Sequence, residues 1–254
     1  MKMITRTALL ACALALLSAP MAAAQVAIPE GKIFASVNVA SQSAERSFDE
    51  TRTWGLYEET ASFSGSHKVS SGSFVDIGGG VRLWQGLGVG LAFSTMSDST
   101  DVPLAAQIPN PLFVNRPRST SASAKGLEHK TTAVHLQAMY MIPLMKRVLI
   151  TVSAGPTFFS VKQDRVENIE LGAESLPYTS IGISRVSTVN TSTSKSGFNV
   201  GADVSYYFTK MVGAGVYFRH AATSIDLPAP LAGGNAVTLD VGGFQVGGGL
   251  RIRF

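Results

Sequence analysis

The stretch Phe198-Asn199-Val200-Gly201-Ala202-Asp203-Val204-Ser205-Tyr206-Tyr207-Phe208 decides the fold. Phe198, Val200, Ala202, Val204, Tyr206 and Phe208 fall on one face, and Asn199, Gly201, Asp203 and Ser205 on the other. A period of two is the signature of a β-strand. The polar face is small and nearly uncharged. A sandwich in water turns its apolar face inward and shows charge outside. Small polar residues instead suit a crowded interior, which leaves the apolar face to meet lipid.

Seven further segments repeat the pattern, giving eight at about 32–42, 72–84, 87–97, 130–142, 147–162, 196–208, 212–224 and 237–254. Three connections are short, around Gln85, Leu144–Lys146 and Thr209–Met211; four are long, at about 43–71, 98–129, 163–195 and 225–236. Facing side chains in an antiparallel pair share a side. Leu83 opposite Leu87, Ile142 opposite Val148 and Phe208 opposite Val212 satisfy this. Short turns at one end and long loops at the other are the layout of an antiparallel, up-and-down transmembrane β-barrel of eight strands, an all-β fold whose closure leaves no edge in hydrocarbon. The segment 56–71 can prolong the second strand outward, with Gly65 as a bend.

The first 24 residues read as a secretory signal, cleaved near Ala24. Lys2 and Arg6 precede the apolar run Ala8–Leu17, and Ala22-Ala23-Ala24 supplies small residues before Gln25. Its removal takes away Cys12 and two positive charges, so the net charge falls from +4 to +2. A disulfide framework is excluded, and nothing supports a nucleic-acid surface. Residues 25–254 form one barrel domain with no apolar stretch near 18 residues.

The ending Gly247-Gly248-Gly249-Leu250-Arg251-Ile252-Arg253-Phe254 resembles the C-terminal signal of outer-membrane β-barrel proteins, matching at Gly249, Ile252 and Phe254. That resemblance implies recognition by the barrel-assembly machinery. The whole chain looks like the small eight-stranded OmpA and OmpX type barrels. The implied setting is the outer membrane of a Gram-negative-type bacterium, with both termini periplasmic, a monomeric state and outer-membrane lipids as partners.

Eight strands leave an interior just wide enough for side chains to fill. Inward parity gives a lumen polar network of Asp76, Arg82, His135, Asp203, Arg219 and Arg251, with Arg82 facing Gly88, Asp203 facing Tyr217, and Arg219 diagonal to Asp203. Buried charges must pair, so this network reads as a plug; the alternative is a gated path for ions or small apolar solutes. Catalysis is not expected. None of His67, His129, His135 and His220 has a serine two residues on, the spacing of outer-membrane lipid deacylases. A lipid-modifying enzyme is the remaining alternative. His220 has lipid-face parity, and His129 reads as a loop edge. The glycine runs 78–80 and 86–90 lack the helix and the Gly-Lys-Ser/Thr of nucleotide loops. Asp49-Glu50 and Glu58-Glu59 read as solvated faces, so no cofactor or metal is expected. In the long loops, Arg116, Arg118 and Lys125 are candidates for lipid phosphates. Trp54, Tyr57, Phe113 and Tyr178 would mark the outer interface.

Overall fold

The computed structural model describes residues 31–43, 46–69 and 71–254; the signal segment lies outside them. The strands are β1 (Ile33–Ser43), β2 (Arg46–Leu56), β3 (Glu59–Val69), β4 (Gly72–Trp84), β5 (Leu87–Ile108), β6 (Arg118–Met145), β7 (Val148–Leu171), β8 (Ile183–Tyr207), β9 (Val212–Leu227) and β10 (Val237–Arg253). Every pairing is antiparallel. The ring β1-β4-β5-β6-β7-β8-β9-β10 closes where β1 meets β10, with Val37 opposite Leu250. β2 and β3 form a hairpin turned by Tyr57 and Glu58, both at positive φ. This hairpin prolongs the β1–β4 hairpin with its register shifted by one residue, so the ring keeps eight staves. The expected outward extension over 56–71 is present. β3 runs through Gly65 in unbroken register with β2, so no bend falls there; an added Cβ at Gly65 would sit 2.5 Å from the Leu104 side chain.

The expected registers hold for Arg82 with Gly88 and for Asp203 with Tyr217. One is corrected. Ile142 opposes Ile150, because the strands run on to Met145 and Val148 and turn through Lys146 and Arg147. The two-residue slip keeps parity, so every side chain stays on its expected face. At the closing seam Gly249 is required: a Cβ there would lie 1.9 Å from the Val37 carbonyl oxygen.

The apolar faces of the eight segments point outward and are exposed, as in Val37, Ile77, Leu91, Leu136, Val200, Val216 and Leu250. Trp84, Tyr140, Tyr206, Phe208 and Phe254 stand near the short-turn border of this band, and Phe93, Phe158, Phe198 and Phe244 near the other. Those are the aromatic girdles of a membrane barrel. The sequence reading had put Trp54, Tyr57, Phe113 and Tyr178 at the outer interface. They lie instead in or near the far ends of the hairpins, Trp54 packed against a buried cluster.

Most of what read as loops is strand. Above the band β5 keeps its parity while its chemistry inverts, and β6 shifts its inward face by one residue at a bulge beside Gly126. In β5, inward positions pass from Gly88, Gly90, Ala92 and Ser94 to Val102, Leu104, Ala106 and Ile108, while outward positions pass from Leu91 and Phe93 to Ser97, Ser99, Asp101 and Gln107. The upper interior is therefore an apolar core. One cluster joins Ala61, Phe63, Val102, Leu104, Ile108, Leu127, Val166 and Ile169; another joins Phe48, Phe159, Val161, Ile225, Leu227 and Leu239. Outside lipid, the hydrophobic effect favours burying these side chains, at roughly 25 cal/mol per Å² removed from water.

Ladders within each hairpin run to its tip: Leu56 with Glu59, Ile108 with Arg118, Leu171 with Ile183, Leu227 with Val237. Ladders across the short turns stop near the band border, at His129 with Gln163 and Phe198 with Ala222. The distal half is thus four hairpins joined by a short β3–β5 ladder from Ser62–Gln107 to Gly65–Leu104, by backbone hydrogen bonds of Thr51 and Thr53 with Asn235 and Gly233, and otherwise by side chains. Leu104→Ala should destabilise that half by about 2–5 kcal/mol. Limited proteolysis of the folded protein should show new cleavage beyond the band, while the heat-modifiable gel band of the membrane half persists.

Candidate functional site

Two polar layers cross the interior. The lower lies within the apolar band. Arg219 Nη2 donates to Asp76 Oδ2 at 2.6 Å, and Arg219 Nε to Gln245 Oε1 at 2.7 Å. Gln245 Nε2 donates to Gln42 Oε1 at 3.0 Å, and Asn38 Nδ2 to Asp76 Oδ1 at 3.1 Å. Arg251 donates through Nη1 to Asn38 Oδ1 and through Nε to Asp203 Oδ2 at 3.0 Å; its Nη2 and the Ser205 hydroxyl also donate to Asp203. The result is one connected belt from Gln42 to Ser205, built from β1, β4, β8, β9 and β10. Asp76, Asp203, Arg219 and Arg251 come together as the parity suggested. The pairing differs: Asp203 binds Arg251, not its diagonal neighbour Arg219, which reaches across to Asp76. Arg82 lines the same lumen nearer the short-turn end, in a cavity of about 120 Å³ that Asp76, Asp203, Arg219 and Arg251 also line.

His135 is inward and fully buried, in a neighbouring cluster. Its Nε2 is 3.1 Å from Ser94 Oγ and its Nδ1 is 2.8 Å from Thr157 Oγ1. Asn199 Nδ2 donates to Thr157 Oγ1 at 2.8 Å, and Gln137 Nε2 to Asn199 Oδ1 at 3.2 Å. A serine beside a histidine is the start of nucleophilic chemistry. Here the orienting partner is a threonine, and both side chains face a packed lumen.

The upper layer sits beyond the band and was not foreseen. Glu50, from β2, accepts from His67 Nε2 on β3 at 2.8 Å and pairs with Arg165 on β7 at 2.9 Å. It also accepts from the Val166 N–H at 3.1 Å. Arg165 Nη2 donates to the Asn235 carbonyl at 3.1 Å, and Nη1 to that of Pro228. Phe48 stacks on His67, centroids 4.5 Å apart. All three polar side chains are buried. The solvated reading of Asp49-Glu50 therefore holds for Asp49 and fails for Glu50, because alternation turns the second residue inward. This constellation ties three hairpins, and no local sequence signal brings residues 50, 67 and 165 together.

Other expectations are corrected by the same inward turn. His129 is buried, not a solvated edge: its Nδ1 lies 2.6 Å from Gln163 Oε1 and its Nε2 2.9 Å from the Thr131 hydroxyl. Arg118 is also buried, donating to Pro109 O and to Glu174 Oε1 at 2.9 Å. Lys125 lies on the exposed face of β6, five residues beyond Lys130 and far above the band. His220 is exposed on the lipid side, as expected. At the C terminus, Phe254 exchanges backbone hydrogen bonds with Ile33, and Gly249 pairs with Asn38.

The family of outer membrane protein β-barrel domains matches residues 9–251. The chain belongs to that family. Its place is accordingly the Gram-negative outer membrane. OprG from Pseudomonas aeruginosa is similar in fold, with a TM-score of 0.52 at 10% identity over 90% of this chain and 98% of that one. Neisserial surface protein A aligns with a TM-score of 0.45 at 12% identity, over 87% and 97%. The outer membrane protease OmpT of Escherichia coli aligns with 0.44 at 10%, over 89% and 97%. No curated protein matches the sequence. At such identities the likeness concerns fold alone.

Two predictions follow from these buried groups beyond the band. Glu50→Leu leaves Arg165 buried without its carboxylate and should cost about 3–5 kcal/mol, read as protease cutting of the distal hairpins. His129 supplies a pH dependence. Burial is the main cause lowering its pKa, opposed by Gln163 and Asp98 and reinforced by Arg46. The folded imidazole thus refuses a proton that the opened chain accepts below about pH 6.5. The stability present above that value is lost as pH falls through the folded pKa. Between pH 7.5 and 5, protease resistance of the distal half should fall more steeply in the wild type than in His129→Gln.

Proposed function

We propose that this protein is a sealed, non-catalytic envelope barrel whose tall distal half is a rigid surface-binding platform. The observation that carries this reading is the interior: a hydrogen-bonded ionic belt within the band, followed by packed apolar clusters and a second buried ionic layer. Water-filled channels need a continuous polar path, and here apolar side chains such as Phe159 and Val161 follow the belt. In this reading the distal half faces outward, both termini are periplasmic and the barrel is monomeric. Gly249, Ile252 and Phe254 serve as the assembly signal.

The tips support the platform reading. Asn110 Nδ2 donates to the Tyr178 carbonyl at 3.0 Å, and the Asn115 N–H to Glu59 Oε1. Leu112, Phe113, Val114 and Leu176 are left exposed between these ties. Locked loops lose little entropy when a partner binds.

Conductance in planar bilayers tests the seal. The wild type should show no steady current, and so should Asp76→Ala/Arg219→Ala, because removing one layer leaves the apolar core above it. Large, steady conductance from the wild-type barrel would overturn the sealed reading in favour of a solute path.

A further inference from the structure

We propose that the outer wall of β5–β8, just beyond the apolar band, binds the phosphate of an outer-leaflet lipid between Lys130 and Lys162. The proposal rests on the distal half facing outward.

The motivating observation is an electrostatic misfit. Lys130 and Lys162 are directly opposite one another in the β6–β7 ladder, both exposed on the outer face. Cβ atoms of such a pair are roughly 4.5–5.5 Å apart, and like charges so placed repel. Among the described residues neither ammonium has a carboxylate partner. Lys195, by contrast, is paired with Asp226 at 3.3 Å. A bound anion resolves the misfit.

The rows beneath say which anion. Across β5, β6, β7 and β8 the last apolar row is Phe93, Val134 and Phe158, ending at Ser196. The next is all hydroxyl: Thr95, Thr132, Ser160 and Ser194. Then come Ser97, Lys130, Lys162 and Ser192. Apolar, hydroxyl and cationic rows follow the order of acyl chain, ester or sugar, and phosphate in a lipid. Rows are two residues apart, about 6.6 Å along the strand, or about 5 Å in height for strands tilted as membrane strands are. The lysine row thus stands about 10 Å above the aromatics. The headgroup layer is roughly 5–8 Å thick, and lysine stems reach down into it. Glu128 and Asp164 lie one row farther out. The Asp164 carboxylate accepts from the Glu128 N–H at 3.1 Å and from Asn190 Nδ2 at 2.7 Å. Their negative charge discourages an anion from moving outward and confines it to the lysine row. The basic residues first suspected, Arg116, Arg118 and Lys125, do not qualify: Arg118 is buried, and the other two lie too far above the band.

The test uses the full folded chain in detergent, titrated with bis-phosphorylated lipid A and with dephosphorylated lipid A, with retained lipid counted by native mass spectrometry. The wild type should hold the phosphorylated lipid at least tenfold more tightly. Lys130→Gln/Lys162→Gln should abolish that preference, and Lys195→Gln should keep it. Equal retention of the two lipids by the wild type overturns the proposal without need of any variant. So does an unchanged preference in a double variant that still shows the folded gel band. Displacement of the lipid by millimolar inorganic phosphate overturns the lipid assignment in favour of a free anion. Labelling of Val114→Cys at the exposed tip by a membrane-impermeant thiol reagent on intact cells reports on the orientation independently, so the two readings fail separately.

Discussion

The structure depends on one constraint: a wall one strand thick has two faces, fixed alternately by the pleat, and the medium outside changes along its length. Inside the band the outer medium is hydrocarbon, so outward positions are apolar and inward ones small or polar. Beyond the band it is water, and the assignments exchange; β5 does this at constant parity, whereas β6 shifts its inward face by one residue at the Gly126 bulge. β5 shows both halves in a single element, Leu91 and Phe93 outward below, Val102 and Leu104 inward above. The barrel is therefore a membrane protein continued as a water-soluble one, with the same hydrophobic effect acting in opposite directions at its two ends.

That exchange governs the polar layers. In the band, the lumen cannot be filled with apolar residues alone without making the strand apolar on both faces, so its polar atoms must satisfy one another. Asp76, Arg219, Asn38, Arg251 and Asp203 do so as a belt in which each charge meets an opposite charge or an amide. Above the band no such requirement exists, and the Glu50–His67–Arg165 cluster has another job. It links β2 and β3 to β7 and to the β9–β10 connection, where backbone contact between hairpins is reduced to the Arg52–Gly234 bridge. A buried pair of this kind adds little net stability; it fixes which hairpin lies against which.

The membrane half was legible in the sequence because alternation survives there over eight segments, and closure follows from the hydrocarbon's demand for paired backbone. The inward parity of Asp76, Asp203, Arg219 and Arg251 followed from it. Their partners did not, because cross-barrel contacts depend on curvature that local register does not contain. The distal strands were hidden for a different reason. Their apolar positions are inward and sparse, and bulges break the period. One lies where the β5–β6 register shifts beyond Thr100, opposite Gly126 at positive φ, whose N–H donates to Asp101. Pro103 then stands beside Leu104, the last β5 residue paired to β3, a place where a missing N–H costs the ladder nothing. Serine and threonine runs such as 187–194 looked like loop because their face meets water, yet each residue has a β7 partner.

The division of ladders also bears on how the two halves communicate. Within the band every stave is hydrogen-bonded on both sides, so the ring resists shear. In the distal half each hairpin is bonded internally and meets its neighbours through one short β3–β5 ladder, a few backbone hydrogen bonds and side chains, among them Arg52 to the Glu167 carbonyl and Arg46 to that of Gly242. Between β6 and β7 and between β8 and β9, displacing a distal hairpin costs side-chain packing and a few hydrogen bonds, not a ladder. The belt around Asp76 and Arg219 lies below this division and does not depend on the contacts between distal hairpins. The membrane ring and the distal hairpins thus rest on different interactions, continuous ladders below and side-chain packing with short backbone ties above.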